Sequence, residues 1–172
     1  MQLALAAVVG TGLWLSFPGW RLGRINERLR NEYRDLQFIT PADLAAWLAS
    51  EKTPHPLILD VRTPAEFEIG HLIEAHRVTT EGELVPEELP DDHRWSLAVY
   101  CSTGERSAAF ARRLQRAGFQ HVLVLEGGIV RWANEEHPMT NGRELVTRVH
   151  PGDLKTVPLL KSAHRAALPA AP

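Results

Sequence analysis

Leu97-Ala98-Val99-Tyr100-Cys101-Ser102-Thr103-Gly104-Glu105-Arg106-Ser107 passes from a continuous apolar tetrapeptide to a short polar turn. Four apolar residues in a row fit a strand covered on both faces, as in a parallel sheet. Gly104 supplies the turn, and Ser107 to Ala117 has the makings of a helix closed by Gly118 at C′. A buried strand that turns within a few residues into a helix is the repeating unit of an α/β fold.

The same unit recurs on either side. Leu57-Ile58-Leu59-Asp60-Val61 is a second apolar run, followed by Thr63-Pro64-Ala65-Glu66, a helix start with Glu66 completing a capping box. Val122-Leu123-Val124-Leu125 is a further strand, and Gly127-Gly128 turns the chain into a last helix around Ile129 to Asn134. Upstream, Thr40-Pro41-Ala42-Asp43 caps a helix whose apolar face is Leu44, Trp47 and Leu48. Strands alternating with helices across short loops predict right-handed crossovers and a mainly parallel sheet.

The polar turn after Tyr100 sits where such sheets bind ligands, at the carboxyl end of the strands. A turn of this kind aims backbone N–H groups into one concavity, and the following helix adds its positive N-terminal end. Arg106 adds a full charge. A cysteine at the base of that nest is favoured as the thiolate, the nucleophilic form of the residue. Cys101 is therefore the candidate nucleophile, with Ser102, Thr103, Gly104, Glu105 and Arg106 as the anion-cradling loop around it. Asp60, Arg62, Glu66 and His71 are supporting candidates: Asp60 as a hydrogen-bond partner of backbone near the loop, Arg62 in an ion pair with Glu66 or another acid, and His71 as a turn residue after Gly70.

Together, Asp60-Val61-Arg62-Thr63-Pro64-Ala65-Glu66-Phe67, Gly70-His71-Leu72, Val99 through Ser107, and Leu125-Glu126-Gly127-Gly128 resemble the rhodanese family in order and spacing. The resemblance implies a parallel five-stranded sheet flanked by helices. It also implies a sulfurtransferase that carries sulfane sulfur as a Cys101 persulfide, from thiosulfate or a persulfide to a thiol or cyanide. Four residues separate Cys101 from Arg106, against five in the related cysteine phosphatases, and the shorter loop suits a single sulfur atom better than a phosphate. Ser102 stands where many thiosulfate-using members carry a base, and Glu105 brings negative charge into the loop, so persulfide donors stay open beside thiosulfate. A membrane-tethered recruitment module with little turnover is the alternative.

Composition narrows the rest. A formal net charge of -2 without a basic field gives no reason to expect a nucleic-acid partner. A single cysteine excludes an internal disulfide, and no two of the eight histidines stand three or four residues apart, so no metal or other cofactor is expected. Residues 1–20 carry no charged side chain and are followed by Arg21, Arg24, Arg28, Arg30 and Arg34. Spans of about 20 apolar residues cross a bilayer, so 1–20 is read as a transmembrane helix and membrane partner, with the domain on the cytoplasmic side. A cleaved export signal leading to the periplasm is the competing reading, although no basic residue precedes the apolar run. Residues 21–37 are then a linker or amphipathic helix, 38–139 the rhodanese-like domain, and 140–172 a loosely held tail.

Overall fold

The computed structural model describes residues 18–79 and 89–167. Helix α1 (Pro18–Glu32) leads into β1 (Gln37–Ile39), α2 (Pro41–Leu48), β2 (Leu57–Asp60) and α3 (Pro64–Ile69). Short strands β3 (His71–Leu72) and β4 (His76–Arg77) follow, then β5 (Ser96–Tyr100), α4 (Glu105–Arg116), β6 (His121–Leu125) and α5 (Gly128–Asn134). Strands β7 (Met139–Thr140) and β8 (Leu145–Val146) and two single-turn 3-10 helices, Val157–Leu159 and Ser162–His164, complete the described chain.

The main sheet has the order β1-β6-β5-β2-β4, and every pairing in it is parallel. This is the five-stranded α/β arrangement expected from the alternating pattern. Successive residues of each central strand feed opposite faces. Ile58, Ala98, Tyr100 and Leu125 pack toward α1, α2 and α5. Leu59, Leu97, Val99, Cys101, Val122 and Val124 pack toward α4, where Ala108, Phe110, Ala111 and Leu114 meet them. Both faces being covered explains why these strands read as unbroken apolar runs.

Of the two readings of residues 21–37, linker or amphipathic helix, the structure shows the helix: most of the stretch is α1, whose Leu22 and Leu29 are 2% and 3% exposed against the domain. The C-terminal part of the chain departs from the sequence reading. Over its described residues, 140–167, the stretch taken as a loose tail packs on the domain. Strand β7 pairs antiparallel with β3, and Leu72 faces Met139. Val149 donates to the carbonyl of His164, and Leu159 and Leu160 are buried in the core with Leu22. Asn134, at the end of α5, clamps the segment by donating to Leu159 O at 2.8 Å and accepting from Lys161 N at 2.8 Å. This order comes from contacts between residues far apart in sequence, which a scan for periodicity does not register. The transmembrane reading falls on residues 1–17, outside the described residues, apart from Pro18, Gly19 and Trp20, which open α1. Among the described residues no helix is long and apolar enough to cross a membrane.

Candidate active site

The site is built at the carboxyl end of β5. Val61 N–H donates to Tyr100 O, so β2 and β5 stay paired up to the point where the chain turns. Helix α4 starts at Glu105, two residues earlier than its composition announces, because Gly104 takes φ +110 as its N-cap. A side chain there would also meet Leu29 of α1 at 3.0 Å. The resulting loop turns the Gly104 amide onto Cys101 Sγ at 3.2 Å. Ser107 Oγ lies 3.7 Å from the same sulfur and donates to Gly104 O at 3.0 Å, which closes the first turn.

What holds the loop in this shape is the start of α5. Ile129 N–H donates to Cys101 O at 2.9 Å and Val130 N–H to Ser102 O at 3.1 Å. Two carbonyls are thereby turned away from the sulfur and satisfied, as buried acceptors must be. Gly128 makes this approach feasible: with φ +54 it lies so close to Cys101 O and Ser102 O that no Cβ fits. The glycine turn is itself held from the opposite side by Asn26 of α1, whose Oδ1 accepts Gly127 N–H at 2.9 Å. Arg28 pairs with Glu105, and Arg30 pairs with Glu126, which Arg131 also holds at 3.0 Å. Helix α1 thus buttresses both loops of the site.

Glu66 organises the other wall. Its carboxylate accepts Thr63 N–H at 2.9 Å as the capping box requires, and also receives both Arg106 Nη atoms at 2.7 and 3.0 Å. Ser102 Oγ donates to it at 3.0 Å. Burial on its own would raise the Glu66 pKa; the hydrogen bonds from Arg106 and Thr63 outweigh it and bring the group from 4.5 down to about 2. A depressed carboxylate contributes stability above its unfolded value, because the unfolded chain binds the proton more readily. That contribution is complete above 4.5 and is lost as pH falls from there toward about 2. Thermal unfolding followed from pH 6 downward should therefore show the stability gap between the native protein and Glu66→Gln shrink across that window. A gap unchanged by acid would show that the carboxylate is not so held.

Cys101 is 1% exposed, and Ser102 and Thr103 are 6% exposed each. The thiol nevertheless lies on the wall of a cavity of about 450 Å³, together with Thr63, Glu66, Ser102, Thr103, Glu105 and Arg106. His150, Gly152, Asp153 and Thr156, all from the segment after the sheet, complete its lining. The structure brings Cys101, its loop and the supporting candidate Glu66 together on this cavity. The sequence reading did not find the part of the lining that follows the sheet. Asp153 accepting from Thr156 N–H and Oγ–H is a legible local cap, but nothing local says that it shares a cavity with Cys101. Asn26 was also missed, although one polar residue within the Leu22, Ile25 and Leu29 stripe of a helix signals a buried hydrogen bond.

The other supporting candidates lie outside the cavity lining. Arg62 Nη2 meets Asp60 Oδ2 at 2.6 Å, both side chains being fully buried, and donates to Gly70 O at 2.8 Å. The partner of Arg62 is thus Asp60 and not Glu66. His71 stacks on Phe67 with ring centroids 3.7 Å apart and donates from Nδ1 to Phe67 O at 2.8 Å. None of the three lines the cavity. Among the described residues, no group of three or more His, Cys, Asp or Glu side chains could hold a metal ion.

Comparison with known proteins converges on the same segment. Residues 40–135, more than half of the chain, match the family described as rhodanese-like domain. The chain is 36% identical over 104 residues to the protein named "Probable adenylyltransferase/sulfurtransferase MoeZ" of Mycobacterium tuberculosis; the match covers 58% of this chain and 25% of that one. It is 34% identical over 90 residues to a protein of Allochromatium vinosum named "Sulfurtransferase", covering 51% of this chain and 80% of that one. Among solved structures, a rhodanese-related protein of Thermoplasma volcanium superposes with a TM-score of 0.53 at 29% identity, over 61% of this chain and 98% of its own. The wall at His150 to Thr156 and helix α1 lie outside the family match.

Proposed function

Because the chain belongs to the rhodanese-like domain family, we propose that it transfers sulfane sulfur from a donor to an acceptor through a persulfide on Cys101. The observation that carries this reading is the placement of one thiol on a cavity wall, with an amide donated to its sulfur and the loop carbonyls drawn back by α5. An arrangement that presents N–H and withdraws C=O stabilises negative charge on whichever sulfur occupies it.

The chemistry has two balanced halves. The Cys101 thiolate attacks the outer sulfur of a donor; the bond between the donor's own sulfurs breaks, and its carrier leaves with the electron pair as sulfite or a thiolate. A thiolate acceptor, or cyanide, then attacks the terminal sulfur of the Cys101 persulfide, and the Cys101 thiolate is the leaving group. No net oxidation occurs. Since the chain holds one cysteine, the second nucleophile is the acceptor's own. Arg106, held by Glu66 and Ser102, fixes the loop at the cavity wall.

One observation favours a second reading, a binding module with little turnover: Cys101 is 1% exposed. Intact mass spectrometry of the full chain after exposure to thiosulfate or a small persulfide separates the two. Sulfur transfer requires the mass of one added sulfur atom on Cys101, removed again by cyanide or a thiol. A thiol that stays unmodified with every donor rejects the enzyme.

A further inference from the structure

Sulfur transfer at Cys101 has two ends, and different parts of the chain serve them. In the displacement, the attacking, transferred and departing sulfurs stand in line. With S–S bonds of about 2.05 Å, the departing sulfur lies roughly 4 Å out from Cys101 Sγ, beyond the loop and in the cavity. The loop serves the attacking end: Gly104 N–H donates to Sγ at 3.2 Å, and the Arg106 guanidinium interacts with the same sulfur.

The departing sulfur gathers negative charge as its bond breaks, and a hydrogen-bond donor aimed at that place strengthens only then. Most donors on the rest of the lining are already spent. Gly152 N–H goes to His150 Nδ1 at 3.0 Å. Thr156 gives both its N–H and its hydroxyl to Asp153 Oδ1 at 2.9 Å. The hydroxyls of Thr63 and Ser102 donate to Glu66. His150 is the exception. Because its Nδ1 accepts the Gly152 amide, that nitrogen is unprotonated, and the neutral ring carries its proton on Nε2. Nε2 has no hydrogen-bond partner among the described residues. The backbone leading into His150 is clamped: Val149, fully buried, donates to His164 O at 2.9 Å and accepts from Ala166 N at 3.0 Å.

We propose that His150 is a catalytic hydrogen-bond donor, its Nε2–H meeting the carrier sulfur of a persulfide donor as that sulfur departs as a thiolate. The inference rests on the sulfur-transfer reading above. The bond from Cys101 Sγ to the outer sulfur forms as the donor's own S–S bond breaks, and the carrier leaves with the electron pair. The proton stays on Nε2, because a neutral imidazole is too weak an acid to surrender it. In the second half the acceptor thiolate enters by the position the carrier has left. His150 lies outside residues 40–135, so this part of the site comes from the segment that follows the family match.

The test measures how fast Cys101 in the full chain gains one sulfur from ethyl persulfide and from trifluoroethyl persulfide. The two are close in size, but the fluorines make the second thiolate far less basic and in less need of a donor. His150→Asn keeps an oxygen at the Nδ1 position for the Gly152 amide, as in an Asx turn, and places nothing at Nε2. It should load about tenfold more slowly from ethyl persulfide, the effect of one hydrogen bond to a developing charge, and only about threefold more slowly from trifluoroethyl persulfide. His150→Gln, whose amide nitrogen reaches the Nε2 position, should recover most of the ethyl persulfide rate. A merely structural role would slow both donors in His150→Asn by one common factor. That result, or native rates in this variant, overturns the role of His150 and leaves sulfur transfer standing. A native protein that gains no sulfur from either persulfide or from thiosulfate overturns both.

Discussion

Cys101→Ser leaves a folded protein that carries no sulfane sulfur. The reaction needs a bond between the residue and the donor's outer sulfur, cleaved again in the second half. A serine oxygen cannot form a persulfide, and a hydroxyl is a weak nucleophile near neutral pH. The loss is therefore complete rather than partial, and no added sulfur should be found by mass with any donor. The fold should persist because the demands on the side chain are modest. Oγ is smaller than Sγ and can accept the Gly104 amide that Sγ accepts at 3.2 Å. The Ile129 and Val130 amides bond the backbone of the loop and are indifferent to the side chain. Thermal unfolding within a few degrees of the native protein, together with absent loading, is the expected pair of results. Sustained turnover in this variant would remove Cys101 from the mechanism.

Gly128→Ala has the largest expected effect on stability. The residue lies at φ +54, where a Cβ alone costs about 1–2 kcal/mol. The methyl would also stand against Cys101 O and 2.6 Å from Ser102 O, which are backbone atoms. Neither can retreat without breaking the bonds from Ile129 and Val130 that shape the loop. Strain and lost bonds together put the cost at about 4 kcal/mol, in the range reserved for a specific structural fault. For a chain of this size that corresponds to a fall in Tm of roughly 8–16 °C. Gly142 is the control, since at φ +84 it has nothing within 4 Å of its would-be Cβ. Gly142→Ala should lose only the conformational part, about 1 kcal/mol. If the two variants melt together, the close approach of α5 to the cysteine loop is not what holds the site. Sulfur loading should fall in Gly128→Ala beyond what its stability explains, because the carbonyls of Cys101 and Ser102 are freed to turn toward the sulfur.

The parts of the molecule readable in advance are those whose physics is local. Leu97 to Tyr100 and Val122 to Leu125 are strands buried on both faces, and continuous apolar runs betray that in any context. Thr40 and Thr63 cap their helices within three residues of themselves, as their neighbours promised. The cysteine followed by a glycine turn and a helix start is a contiguous device, so the turn from strand to helix was legible too.

What needed three dimensions is everything the site receives from a distance. Arg106 reaches back 40 residues to Glu66, and Gly127 reaches back 101 to Asn26. The sequence shows that each of these groups needs a partner but carries no information on which partner folding brings near. The stretch after Pro138 is the sharpest case. Its prolines and scattered polar residues lack any period, because it is neither strand nor helix for long. Its order comes from Val149, Leu159 and Leu160 finding the core and from Asn134 clamping its backbone. That docking brings Asp153 to the cavity that Cys101 also lines. The candidate nucleophile is thus written in one short segment, while the rest of its cavity is decided by packing.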